Sequence, residues 1–302
     1  MDLTELVVLI RGGGEMASGI AHRLARCHFR VCIAELPQPL AVRRGVSFCE
    51  AVYEGEWEVE GITAQLAQGP EEMPSLWQRG RIPVLVDPEA RVREVLRPQV
   101  LVDATMAKRN LGVRIDDAPL VVATGPGFVA GRDAHMVVET NRGHDLGRLI
   151  LSGEAEPDTG VPGDIDGHTA SRVLKAPQEG LFRARKAIGD PVRAGETVAL
   201  LEPQPARPYG PSLGPQPARP YGPSLGPQPA RPYGPSLGPQ PVVAAIDGVL
   251  RGLLHDGLWV EARTKVGDID PRGSREHCFT ISDKARAIAG GVLEGILLFY
   301  RC

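Results

Sequence analysis

The stretch from residue 6 to 24, LVVLIRGGGEMASGIAHRL, constrains the fold of this chain more than any other, because three consecutive glycines separate an apolar run from an amphipathic one. Leu6 to Ile10 is short, apolar and rich in β-branched residues, the pattern of a strand buried on both faces of a parallel sheet. Ala17, Ile20, Ala21, Leu24 and Ala25 then recur at helical spacing, and the alanines let that helix approach the sheet closely. Gly12, Gly14 and Ala17 satisfy G-x-G-x-x-[G/A]. A second apolar run, VCIAE, ends in Glu35, 21 residues beyond Gly14. A dinucleotide-binding βαβ unit has this layout: glycines for close backbone approach, a helix N-terminus for pyrophosphate and a carboxylate for ribose hydroxyls. A tight structural turn in an α/β sheet fits it too. Glu35 disfavours a ribose 2′-phosphate whereas Arg43 and Arg44 in the following loop favour one, so NAD and NADP both stay open as cofactors.

Further strands follow in IPVLVD, QVLVDAT and PLVVATGPGF, with a helix face of Val92, Val95 and Leu96 between the first two. Ligands of open α/β sheets sit at the carboxyl ends of strands. That rule gathers Gly12, Gly14, Glu35, Arg43, Arg44, Asp103, Lys108, Gly125, Gly127, Glu139 and His144 as candidate cofactor-binding residues. Arg109, Asn110, Asp133, His135 and Arg142 lie near them in sequence. Such a set suits an anionic ligand, with Lys108 and His144 as acid/base candidates; charged residues at strand ends are also commonly just solvated.

Beyond Gly163 the pattern changes to short β-rich pieces broken by glycine-aspartate turns. EGLFRARKAIGDPVRAGETVALLE and PVVAAIDGVLRGLLHDGLWVEARTKVGDID read as two quasi-equivalent halves, the layout of biotinyl and lipoyl carrier domains, the barrel-sandwich hybrids. The carriers' modified lysine is missing, since no lysine lies between Lys186 and Lys265. Where the joining hairpin belongs, residues 203–238 are three identical copies of PQPARPYGPSLG, holding 12 of the chain's 28 prolines. Four prolines per copy remove too many backbone donors for helix or sheet, so an extended, disordered insert is expected there. The expected architecture is thus α/β. A Rossmann-like nucleotide-binding domain spans 1–150 and a β-rich biotinyl/lipoyl-like domain 151–275. A C-terminal segment, 276–302, packs back on the core.

Lysine and arginine total 34 against 37 acidic residues, a net charge of −3, which excludes the basic excess of a general nucleic-acid binder. The acidic start and its short apolar run do not read as a signal peptide or a membrane span, and a cytoplasmic protein is expected. Five scattered cysteines form no metal or redox pair. Cys278 beside His277 is a candidate nucleophile, because a neighbouring imidazolium lowers a thiol pKa.

The segments RGGGEMASGIAHRL, AVRRGVSFCEAV, DATMAKRN, TGPGFVAGRDAHMVVETNRGHDLGR and KVGDIDPR…ISDKARAIAGGVLE together resemble the YqeB-like proteins, called selenium-dependent molybdenum hydroxylase system proteins. The resemblance runs from about residue 6 to 299 and is interrupted only by the proline repeat. It implies an accessory role in maturing a molybdenum hydroxylase of the xanthine dehydrogenase type. The partner would be the apo-hydroxylase or its maturation machinery, and the ligand a molybdopterin dinucleotide. No catalytic residue carries over from the family. An NAD(P)-dependent oxidoreductase and a non-catalytic scaffold for hydroxylase assembly are the alternatives.

Overall fold

The computed structural model describes residues 3–203 and 238–300, so the proline repeat, apart from its two end residues, lies outside the described residues. Strands β1 (Val7–Arg11), β2 (Arg30–Glu35), β3 (Glu56–Val59), β4 (Ile62–Leu66), β5 (Ile82–Val86), β6 (Val100–Asp103), β7 (Leu120–Thr124), β8 (Met136–Val138) and β9 (Leu149–Ile150) form one sheet. Their order is β9-β8-β7-β6-β1-β2-β5-β4-β3. The six pairings from β8 to β4 are parallel, and only the edge strands β9 and β3 run antiparallel. The fold is mixed α/β.

Side chains alternate across the sheet with period two, and both faces are dry. Val8, Ile10, Val31, Ile33, Val102 and Val122 point to one face, while Leu9, Cys32, Ala34, Leu101, Val121 and Val137 point to the other. This is why the strands read as continuous apolar runs rather than as alternating ones. On the first face lie the two long helices, α1 (Glu15–Arg26) and α2 (Asp283–Tyr300). They touch each other closely: a Cβ on Gly19 of α1 would come within 2.8 Å of the Ala285 Cβ of α2. Ala285, Ile288, Ala289, Val292 and Ile296 form the buried stripe of α2, which runs unbroken through Gly290 and Gly291. Short helices cover the second face, among them Met73–Gln78. The helix expected around Val92 to Leu96 is a single turn, Arg93–Leu96, and Val95 is exposed.

The first unit extends past residue 150, because Gly153–Glu154 pairs with Val129–Ala130 and Ala155 joins the core of the second face. Then come β10 (Val173–Lys175), β11 (Gly180–Ala184), β12 (Pro191–Val192), β13 (Thr197–Glu202), β14 (Gln240–Val243), β15 (Gly248–Leu253), β16 (Trp259–Val260) and β17 (Lys265–Asp270). They build two four-stranded antiparallel sheets, β10-β17-β15-β12 and β14-β13-β11-β16. Each half lends its short strand to the other's sheet: β12 pairs with β15, and β16 pairs with β11. Phe182, Val198, Leu201, Leu250, Leu253, Val266 and Ile269 fill the space between. Strands β13 and β14, which flank the repeat, pair with each other up to Leu201 and Gln240.

Candidate functional site

In the large sheet β2 lies on one side of β1 and β6 on the other. A crevice therefore opens where the loops after β1 and β6 diverge, the usual ligand position in such sheets. Gly12, Gly13 and Gly14 line it from one side and Ala104 to Ala107 from the other, around a cavity of about 620 Å³. A second cavity of about 810 Å³ adjoins it, sharing Glu15, Met16, Arg43, Met106 and Lys265, and reaches to the small sheets.

The three glycines differ in what they do. Gly12 takes a φ of +93°, and a Cβ there would sit 3.2 Å from the Ala104 carbonyl oxygen, so the turn itself requires glycine. A Cβ on Gly13 would come within 3.1 Å of both Cys49 and the Glu35 carboxylate. Gly14, at a φ of −70°, caps α1, and a Cβ on it would meet nothing within 4 Å. No side chain caps α1, so the positive end of the helix faces the cavity uncompensated by a capping group.

Around this helix end stand three charged side chains. Arg43 and Arg251 are 4 % and 7 % exposed. Glu15 Oε1 lies 3.8 Å from an Nη atom of each, too far for a hydrogen bond. Arg43 Nε and Nη1, Arg251 Nε and Glu15 Oε1 are buried with no hydrogen-bond partner among the described residues. Burial pushes the Glu15 carboxyl up despite the pull of Arg251. Arg43 is anchored by donating Nη2 to the His277 and Thr280 carbonyls at 3.0 and 3.4 Å, and Arg251 Nη1 lies 3.4 Å from Asp270. Burial works against the Asp270 carboxylate, but hydrogen bonds from Arg272 outweigh it and bring the group down to about 2. Lys284, also in the larger cavity, is pushed down by burial first and by Arg142 second.

Of the residues proposed from sequence, Gly12, Gly14, Glu35, Arg43 and Lys108 line these cavities. Lys108 is paired with Asp158 at 2.6 Å and half exposed. Glu35 is present but turned inward: Oε2 accepts the Gly13 N–H at 2.5 Å and Oε1 the Leu36 N–H at 2.6 Å. Its carboxylate thus holds the glycine loop from inside.

Six others lie outside the cavity walls. Asp103, 1 % exposed, accepts from the Thr105 N–H and hydroxyl at 3.2 and 2.8 Å and faces Arg11. Arg44 bridges the two units by donating to Glu50 and the Leu253 carbonyl. Glu139 accepts three backbone N–H groups, those of Thr140, Asn141 and Glu156, at 2.6 to 2.7 Å. Gly125 and Gly127, at φ of +78° and +102°, are packed against Thr140 and the Arg109 backbone. His144 is exposed on a turn. Asp103, Glu139, Gly125 and Gly127 are thus engaged by neighbouring loop backbone or side chains. Cys278 is buried, with Sγ 3.9 Å from the Leu250 carbonyl oxygen, and burial pushes its thiol up to about 11. Burial thus opposes the thiolate that the nucleophile expected there needs.

Sequence reasoning missed Glu15, Arg251 and Lys284. Arg251 had a signal, a lone charge inside the apolar run GVLRGLL. It also named no metal ligands. Among the described residues one group, Glu50, Glu54 and His255, brings three ligand atoms within 4.8 Å of one another. Arg44 sits on Glu50 at 3.0 Å and already supplies positive charge there.

No family model matches the chain. It is 43 % identical over 292 residues to the Escherichia coli (strain K12) protein "Uncharacterized protein YqeB", an alignment covering 97 % of this chain and 47 % of that protein. The chain is a homologue of YqeB. The similarity read from the motifs thus extends over nearly the whole sequence, while the chain spans about half the length of the curated relative it matches. Solved structures give distant likenesses. One is an aspartoacylase family protein from Mesorhizobium loti, with TM-score 0.26 and 11 % identity over 88 % of this chain and 84 % of that one. Another is a succinylglutamate desuccinylase/aspartoacylase from Rhodobacter sphaeroides, with TM-score 0.22 and 17 % identity over 40 % of this chain and 29 % of that one. Among the described residues no helix is long and apolar enough to cross a membrane.

Proposed function

We propose that the crevice at the β1 loop binds a dinucleotide-type ligand and that the protein is a maturation factor for a selenium-dependent molybdenum hydroxylase, handling the molybdopterin dinucleotide of its client. In this reading the large sheet is Rossmann-like and the two small sheets are a barrel-sandwich hybrid without a carrier lysine. The observation that carries it is Gly14. A glycine stands at the N-terminus of α1 although neither its backbone angle nor any neighbour demands one, and the space in front of it is open. External backbone approach explains that choice better than a structural turn does. A pterin dinucleotide fits the donor set, its pyrophosphate against Gly14 and the first turn of α1, its anionic charge near Arg43 and Lys265. Bound there, the group would supply the molybdenum-binding dithiolene, and this chain's part is to hold and orient it. The inward turn of Glu35 favours this reading over an NAD(P)-dependent oxidoreductase, since the carboxylate that would read the ribose already holds Gly13 and Leu36.

Mass spectrometry of the small molecule released on denaturing protein from its native host tests the proposal. A pterin dinucleotide is expected. Release of NAD or NADP would replace the maturation reading with the oxidoreductase one.

A further inference from the structure

The three-ion cluster at the head of α1 is incomplete in an informative way. Two arginines from different units, Arg43 after β2 and Arg251 on β15, converge there while nine-tenths buried or more. They retain N–H donors with no partner among the described residues. Between them stands Glu15, close enough to neutralise part of their charge and too far to accept a hydrogen bond from either, with its own Oε1 unpartnered. Buried donors left in this state cost stability, and planar guanidinium groups favour bidentate oxyanions. Of the neighbouring acids, Asp268 pairs with Arg172 and keeps Oδ1 unpartnered, while Asp270 is shared between Arg272 at 2.6 Å and Arg251 at 3.4 Å; Lys265 and Lys284 add positive charge to the same cavity.

We infer that Arg43 and Arg251 form an oxyanion seat for a phosphate or diphosphate group, shared between the two units, and that the Glu15 carboxylate is the internal competitor that an entering anion displaces. The seat rests on the reading of the crevice as an anionic-ligand site and adds to it a second unit's arginine and a displaceable acid. The uncapped first turn of α1 points at the same place, which a carboxylate and a phosphate contend for. A larger ligand anchored there would extend along the glycine loop into the smaller cavity.

Isothermal calorimetry on the full chain tests the seat, with inorganic pyrophosphate as the probe and ADP as a second arm. Glu15→Gln removes the competitor's charge with little change in shape, and it should tighten pyrophosphate by about tenfold or more. Arg251→Gln should weaken it by on the order of thirtyfold, and Arg251→Lys by less, since the ammonium keeps the charge but loses the fork. Circular dichroism on each variant checks that it is folded. Tighter binding of ADP than of pyrophosphate would assign the seat to a nucleotide's diphosphate, and equal binding to free phosphate anions; both outcomes support the seat. No pyrophosphate binding by any folded variant would overturn it. So would unchanged affinity in both Glu15→Gln and Arg251→Gln; if Gly14→Val still abolished ADP binding, the crevice reading would survive alone. Conversely, ADP affinity unaffected by Gly14→Val but lost in Arg251→Gln would leave the seat standing and remove the glycine loop from the site.

Discussion

Two glycine loops close strands of the same sheet, Gly12 to Gly14 after β1 and Gly125 to Gly127 after β7, and in sequence they look like one device used twice. In space they are opposites. At the second loop the protein supplies what occupies the missing side-chain volume: Thr140 lies against Gly125 and the Arg109 backbone against Gly127, both glycines at positive φ. At the first, Gly12 obeys the same internal demand, but Gly14 faces open space at an ordinary backbone angle. A glycine required by its own fold reports on packing, whereas Gly14, at a helix N-cap with open space before it, is the one that the proposed ligand would use.

The sharpest way to break this contrast is at Gly127. Gly127→Ala forces a side chain into the left-handed region and onto the Arg109 backbone, and it should cost about 3 kcal/mol or more by urea denaturation. A loss below about 1 kcal/mol would show that the second loop is not tightly packed. Next comes Gly14→Val, which should leave the melting temperature within about 2 °C while reducing dinucleotide affinity by about a hundredfold, some 2.7 kcal/mol. A large drop in stability instead would make Gly14 a packing glycine like its counterpart.

How firmly Arg251 is held beside the open loop sharpens the comparison further. Asp270 is brought down to about 2 from an ordinary 3.8, so its contribution is complete above about pH 4 and is lost as the pH falls toward 2. Stability followed by fluorescence should therefore decline over that window, and Arg272→Gln should move the acid midpoint upward. An unmoved midpoint would mean that Asp270 does not depend on Arg272. The smallest effect is expected at the repeat. Replacing residues 203–238 with a tight turn joins strands that already pair, Leu201 with Gln240, and should raise stability by about 1–2 kcal/mol through a shorter closure. A loss would show that the repeat contributes contacts of its own.

Much of the large sheet was legible in the sequence because burial on both faces writes itself as unbroken apolar runs, as at Leu6 to Ile10 and Leu120 to Ala123. The site was legible only in part. Gly12, Gly14 and Arg43 are where local pattern placed them, since the loop, the helix and the next strand are adjacent in the chain. Arg251 was not, because its meeting with Glu15 depends on how the small sheets dock, which no local spacing encodes. Glu35, Asp103 and Glu139 each accept nearby backbone N–H groups; a carboxylate at a strand end serves such groups as readily as a ligand, and composition does not separate these uses. The repeat, the most conspicuous feature in sequence, lies outside the described residues.

The pairing of α1 with α2 bears on how the molecule is made. The face of the sheet that carries α1 is completed by a helix about 250 residues further along the chain, a delay on the order of ten to fifty seconds at ordinary translation rates. During that interval Gly19 has no permanent cover from α2, and Arg43 lacks the carbonyls of His277 and Thr280 that orient it. The cavity-facing end of α1 is thus completed only after α2 has been made, and until then a nascent chain presents an apolar helix face.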